Sequence, residues 1–188
     1  MAPPKEVEIK FALDDLRSLE RKLRALGFRR RTPRTHEINT LYDLPGGVLR
    51  RRGQLLRLRN YGKHWTLTHK GRGRAGRHKS RAELETRVED GRRMEVILTA
   101  LGFVPSFRYE KFRSEWTDDT GHVVLDETPI GNYGEIEGPP RWIDRTARAL
   151  GIIPGQYITD SYAQLFLKWK KHTGSKADDM TFKAVRRN

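Results

Sequence analysis

The chain has 188 residues, 38 Lys+Arg against 24 Asp+Glu and a formal charge of +14, a length suited to one soluble domain with its own core. The absence of cysteine excludes disulfides, thiolate metal ligands and a cysteine nucleophile. The opening MAPPKEVEIK lacks the apolar run of a signal peptide and no stretch reaches membrane-spanning length. A cytoplasmic protein is therefore expected, with a polyanionic partner: nucleic acid, an acidic membrane surface or a phosphate-rich small molecule.

From Lys5 to Phe11 the residues alternate, with Glu6, Glu8 and Lys10 on one face and Val7, Ile9 and Phe11 on the other, which predicts a strand. The period turns helical at Asp14, with Leu16, Leu19, Leu23 and Leu26 in one stripe and Gly27 as the residue after the helix end. The closing Ala25-Leu26-Gly27-Phe28 recurs as Ala100-Leu101-Gly102-Phe103 after a second helical stripe behind Asp90, and more weakly as Ala149-Leu150-Gly151-Ile152. Seven further strands are predicted around 35–43, 54–59, 64–70, 80–88, 107–116, 121–127 and 132–138. The order suggests two related halves of one α+β unit, closed by one or two terminal helices. His69 to Ser80, rich in Gly, Arg and Lys, reads as a mobile basic loop. Residues 172–188 read as a tail, with a short strand at Thr181 to Val185.

Charge sorts along the strands. Arg57 and Arg59 oppose Leu56 and Leu58; Thr66, Thr68 and Lys70 oppose Trp65 and Leu67; Arg81, Glu83, Glu85 and Arg87 oppose Ala82, Leu84 and Val88. Tyr109, Lys111 and Arg113 oppose Phe112, Asp126 opposes Val123 and Leu125, and Glu135 and Glu137 flank Ile136. Strand by strand, an antiparallel sheet with one solvated face accounts for this alternation. It does not account for carboxylates clustering on the first and last strands while Arg and Lys dominate the central ones. Eight strands can close into a barrel that holds one small ligand, and a charged interior requires paired or ligand-bound groups. Carboxylates suit hard divalent cations, and guanidinium and ammonium groups suit phosphate.

Glu6-Val7-Glu8-Ile9-Lys10 resembles the ExExK signature of the CYTH superfamily, the triphosphate tunnel metalloenzymes. Leu56-Arg57-Leu58-Arg59, Thr68-His69-Lys70, Arg81-Ala82-Glu83-Leu84-Glu85, Glu110-Lys111-Phe112-Arg113, Leu125-Asp126-Glu127 and Gly134-Glu135-Ile136-Glu137 follow in the family's order, with Asp160-Ser161-Tyr162 resembling its C-terminal end. The resemblance implies an eight-stranded antiparallel β-barrel with helices outside, occupying residues 1–171 ahead of the 172–188 tail. It implies Mg²⁺ or Mn²⁺ held by Glu6, Glu8, Asp126, Glu135 and Glu137. Glu83 and Glu85 either join that set or hold arginine side chains. Lys10, Arg57, Arg59, Lys70, Arg81, Lys111 and Arg113 match the residues that bind substrate, and Glu6, Glu8, Lys10 and Lys70 those assigned to catalysis. Tyr42 resembles a strand-two tyrosine near the family's site, but an aromatic beside a turn reads as packing. The six histidines show no metal-ligand spacing and receive no metal role.

The function this implies is metal-dependent cleavage of a phosphoanhydride in tripolyphosphate, thiamine triphosphate or a nucleoside triphosphate. Attack by a ribose 3′-hydroxyl, as in the class IV adenylyl cyclases, is the alternative; it stands second because no base-reading constellation is evident. A non-catalytic polyphosphate or nucleic-acid binder stands third. It rests on Arg29-Arg30-Arg31, Arg50-Arg51-Arg52 and the loop carrying Arg72, Arg74, Arg77 and Lys79, runs that lie outside the tunnel motifs and lack interleaved aromatics. The expected partner is a small-molecule triphosphate, with neither nucleic acid nor a membrane, and family analogy adds a homodimer.

Overall fold

The computed structural model describes residues 5–74 and 76–186. Eight strands, β1 (Lys5–Leu13), β2 (Arg29–Asp43), β3 (Leu55–Tyr61), β4 (His64–Lys70), β5 (Lys79–Val88), β6 (Val104–Thr117), β7 (His122–Thr128) and β8 (Gly131–Glu137), close into an antiparallel barrel in the order β1-β5-β4-β3-β2-β6-β7-β8. Six helices pack outside it: α1 (Leu16–Ala25), α2 (Val48–Arg51), α3 (Gly91–Ala100), α4 (Pro140–Leu150), α5 (Tyr162–Thr173) and α6 (Phe182–Arg186). No helix among the described residues is long and apolar enough to cross a membrane.

The alternation of each strand divides the barrel wall chemically. Outward side chains build the apolar core: Ile9, Phe11, Val123, Leu125 and Ile136 meet Leu19 and Leu23 of α1 and Ile143 and Ala147 of α4. A smaller cluster of Tyr42, Leu58 and Leu98 lies under α3. Gly134 faces outward in register with Phe11, and a Cβ there would run into the Phe11 ring. The hydrophobic effect thus holds the barrel from outside, leaving its lumen to polar groups. A third cluster borders the lumen, in which Tyr109 joins Tyr162 and Phe166 of α5, with Leu41 and Tyr133 alongside.

The repeated tetrapeptides are repeated helix ends. After α1, the N–H of Phe28 donates to the Leu23 carbonyl and that of Gly27 to Arg24, both at 3.0 Å; after α3, Phe103 donates to Leu98 and Gly102 to Thr99 at the same distances. This Schellman arrangement needs φ near +85° at the glycine, and Gly27 and Gly102 have +82° and +87°. The starts match as well, with Asp15 Oδ1 accepting from Ser18 N–H and Asp90 Oδ1 from Arg93 N–H.

Three sequence expectations change. β2 begins at Arg29 and β6 at Val104, earlier than expected, because Pro33 and Pro105 sit beside register shifts between the two strands, where a missing N–H costs the ladder little. Phe182 to Val185 lie in α6 rather than in a strand, with Thr181 just ahead of it. Ahead of it, Met180 is fully buried and bonds β6 through its N–H to Arg108 O and its carbonyl from Glu110 N–H. The loop expected to be mobile folds back onto β5 through paired Arg74–Ser80 backbone bonds. Its Arg77 and His78 are tied to Asp144 of α4 at 3.2 and 2.9 Å.

Candidate functional site

The lumen forms a cavity of about 310 Å³ lined by nine Lys and Arg side chains and seven Glu. Asp126 and Glu37, both fully buried behind this wall, bring the anions to nine. The tunnel is therefore balanced, and the excess of +14 lies elsewhere on the molecule. Among the expected residues, Glu6, Glu8, Lys10, Arg57, Arg59, Lys70, Arg81, Glu83, Glu85, Lys111, Arg113, Glu135 and Glu137 all line the cavity. The strand register sets most of them against opposite charge: Lys10 faces Glu135, Lys70 faces Glu83, Glu6 faces Arg81, and Arg113 faces Asp126. Glu8 and Glu137 break the rule, being the like-charged pair in the register of the described strands.

The deep layer is tightly paired. Glu135 bonds Lys10 and Arg113. Asp126 accepts from Lys111 at 3.0 Å, from Arg113 at 2.6 and 2.7 Å and from the Tyr162 hydroxyl at 2.6 Å, so its oxygens are engaged by these partners. Burial opposes the charge on Glu135, but Lys10 and Arg113 outweigh it and hold the carboxyl well below the usual range. Lys10 and Lys111 also lie against the Tyr162 ring, 4.5 and 4.7 Å from its centroid.

The β4–β5 wall pairs its two carboxylates with cations. Glu85 holds arginines, bonding Arg59 at 3.1 Å and Arg57 at 3.4 Å and accepting from Thr68 at 2.6 Å. Glu83 lies 2.8 Å from Lys70. Lys70 also bonds Glu6 at 2.7 Å, and Arg81 bonds Glu6 at 3.2 Å. Against the cost of burial, Lys70 and Arg81 bring the Glu6 carboxyl down to about 2, while burial and the nearby Glu6 charge push Glu83 up.

Glu137 stands apart. Among the described residues its side chain, open to solvent on one side, has neither ion pair nor hydrogen bond, and partial desolvation reinforced by Glu6 and Glu8 and opposed by Lys70 pushes its carboxyl up to about 7. A run of carboxylates on adjoining strands, one with no cation bonded to it among the described residues, is a donor set suited to a hard divalent ion. The donors are not gathered to ligand spacing: among the described residues no three carboxylates or imidazoles form a metal-binding cluster. Glu6 is drawn towards Lys70 and Arg81, and Glu8 is bonded to Lys79 at 2.9 Å.

Several lining residues escaped the sequence reading. Arg31 and Lys79, placed there in surface runs, line the cavity, as do Glu115 and His122. Glu37, fully buried on β2, was also missed; its neighbour Ile38 is 41% exposed, so the strand offers no apolar face by which to find it. Tyr42 packs in the α3 cluster, its hydroxyl 3.4 Å from Glu95.

Residues 4–147 match the family model of the CYTH domain. A Methanocaldococcus jannaschii protein named "putative adenylate cyclase" is 29% identical over 135 residues, covering 70% of this chain and 75% of its own length. The fold is similar to that of a Vibrio parahaemolyticus protein described in the same words, with TM-score 0.79 and 18% identity over 88% of this chain and 99% of the other. A Hippeastrum protein, described as a putative adenylyl cyclase with a dominant triphosphatase activity, gives TM-score 0.67 and 18% identity over 87% and 95% of the two chains.

Proposed function

The chain belongs to the CYTH family, and on that premise we propose that it binds a small-molecule triphosphate in the tunnel and hydrolyses one of its phosphoanhydride bonds with Mg²⁺ or Mn²⁺. The observation that carries the reading is the like-charged Glu8–Glu137 pair beside Glu6, an excess of anionic donors at one place in an otherwise charge-matched wall. Glu6, Glu8 and Glu137 would hold the ion, whose chemistry is to neutralise phosphate oxygens and to lower the pKa of a bound water. Lys10, Arg57, Lys111 and Arg113 hold the phosphate chain through charge-assisted hydrogen bonds, sharing donors now directed at Asp126, Glu135 and Glu85. Tyr109 and Tyr162 border the cavity beside an apolar cluster, and the chain's contribution is positioning and charge stabilisation.

A cyclase is the second reading, favoured by the name of the archaeal relative. It would need a surface for adenine, whereas the Tyr162 ring is flanked by two ammonium groups and Tyr109 is stacked on Phe107. The deciding experiment incubates the protein with tripolyphosphate, thiamine triphosphate and ATP, with Mg²⁺, with Mn²⁺ and with chelator, and separates the products. Orthophosphate and the matching diphosphate are expected only with metal. Cyclic AMP with pyrophosphate would replace hydrolysis by cyclisation, and no metal-dependent product would leave a binding protein.

A further inference from the structure

Glu37 lies on the inner face of β2, opposite Lys111 in register, with a fully buried side chain. Its carboxylate is 3.4 Å from Lys111 Nζ, 3.9 Å from Arg113 Nε and 4.0 Å from Arg59 Nη1, yet none of these cations donates a hydrogen bond to it. Their N–H groups go elsewhere: Lys111 to Asp126, Arg113 to Asp126 and Glu135, Arg59 to Glu85. The carboxylate's hydrogen bond comes from Asn39 Nδ2 at 2.9 Å on Oε1, and Oε2 has no hydrogen-bond partner among the described residues. A buried charge normally collects its full set of donors. Here it supplies negative potential to three phosphate-facing cations without occupying their donors.

We propose that Glu37 is a positioning residue that acts through Lys111, Arg113 and Arg59 as a built-in counter-charge, moderating how tightly the tunnel holds phosphate so that the product can leave. The inference rests on the phosphate reading of the cavity. Fixed cations bind substrate and product alike, and uniform binding raises no turnover. An anion that leaves the donors free weakens both without disturbing their geometry. Removing its charge while keeping its shape strengthens phosphate binding, whereas loss of a merely structural residue weakens it.

The test compares wild type, Glu37→Gln and Glu37→Asp by calorimetric titration with tripolyphosphate and with pyrophosphate in chelator, where no turnover occurs, and by steady-state hydrolysis with metal. For Glu37→Gln, Kd for both anions falls about tenfold or more, KM falls and kcat falls with it, and pyrophosphate inhibits more strongly; Glu37→Asp stays near wild type. Added tripolyphosphate raises the melting temperature of Glu37→Gln by more than it raises that of wild type, because the ligand supplies the missing charge. Unchanged or weaker binding by a folded Glu37→Gln overturns the proposal. If that variant folds only with tripolyphosphate present, the counter-charge role stands in stronger form. If it stays unfolded with the anion while Glu37→Asp folds, the residue is structural and the proposal fails. A wild type that binds neither anion overturns the phosphate reading itself.

Discussion

Glu135 and Glu137 lie two residues apart on β8, on the same inner face, and occupy opposite electrostatic states. Glu135 faces Lys10 across the ladder, is bonded also by Arg113, and stays ionised far below the usual carboxylate range. Glu137 faces Glu8, has no cation bonded to it among the described residues, and is pushed up to about 7. A short motif makes the two equivalent, and both were expected to bind metal. The strand partner separates them, so one carboxylate locks the barrel while the other, among the described residues, is bonded to no cation. This contrast can be tested through stability, from the largest effect to the smallest.

Replacing Glu135 with Gln leaves Lys10, 3% exposed, without its bonded anion and strips Arg113 of one of the two carboxylates it hydrogen-bonds. Breaking a buried pair from one side costs about 3–5 kcal/mol, on the order of 10 °C in Tm at this chain length. Replacing both partners with apolar residues, Lys10→Met with Glu135→Leu, recovers most of that loss. Urea denaturation of the three proteins checks this, and a Glu135→Gln variant as stable as wild type would remove the lock.

Acid should expose the same difference. Glu37, against the cost of burial, is brought down to about 2 by Lys111, Arg113 and Arg59, compared with 4.5 when unfolded. Its ionised form is favoured by folding, so its contribution, on the order of 3 kcal/mol, is complete above pH 4.5 and is lost as pH falls towards 2. Glu6 behaves alike. Glu137 has the reverse sign: its raised pKa makes folding easier as pH falls from 7 to 4.5. Stability therefore rises slightly or holds between pH 7 and 5, then drops steeply below 4.5. Denaturation curves between pH 8 and 3 check this, and Glu37→Gln should flatten the acid limb.

Between the two glutamates in its demands is Gly134, whose missing side chain lets Phe11 lie against the outer wall. Gly134→Ala overpacks that contact at a cost of about 1–3 kcal/mol, measurable by thermal denaturation. A neutral result would mean that outer packing does not fix the position of Glu135.

Alternation made most of this wall legible, because a period of two survives in any strand with an apolar outer face, as in Glu6-Val7-Glu8-Ile9-Lys10. Repetition likewise identified the two helix ends at Gly27 and Gly102, where local backbone chemistry alone decides the outcome. It failed where tertiary context decided. Thr181 to Val185 is too short to distinguish a strand from a helical turn, and Pro33 and Pro105 hid strand starts that bulges tolerate. Glu37 has a single apolar neighbour, Ile38, set between polar His36 and Thr40, too little alternation to mark its face. The difference between Glu135 and Glu137 depends on the pairing of β1 with β8, residues about 125 apart in the chain, which no local pattern encodes.

The smallest effect on stability belongs to Glu137→Gln. The substitution removes a charge that Glu6 and Glu8 oppose and, among the described residues, breaks neither an ion pair nor a hydrogen bond, so the melting temperature at pH 8 stays level or rises slightly. On the proposed function, the same change removes an anionic donor and raises the metal concentration needed for half-maximal hydrolysis, with turnover falling by about 10²-fold. Glu135→Gln weakens the fold first and activity through it; Glu137→Gln spares the fold and removes activity directly. Metal titrations of hydrolysis alongside thermal melts separate these outcomes. A Glu137→Gln protein with wild-type metal dependence would show that the like-charged Glu8–Glu137 pair serves something other than a cation, and the two glutamates would then differ in charge state without differing in function.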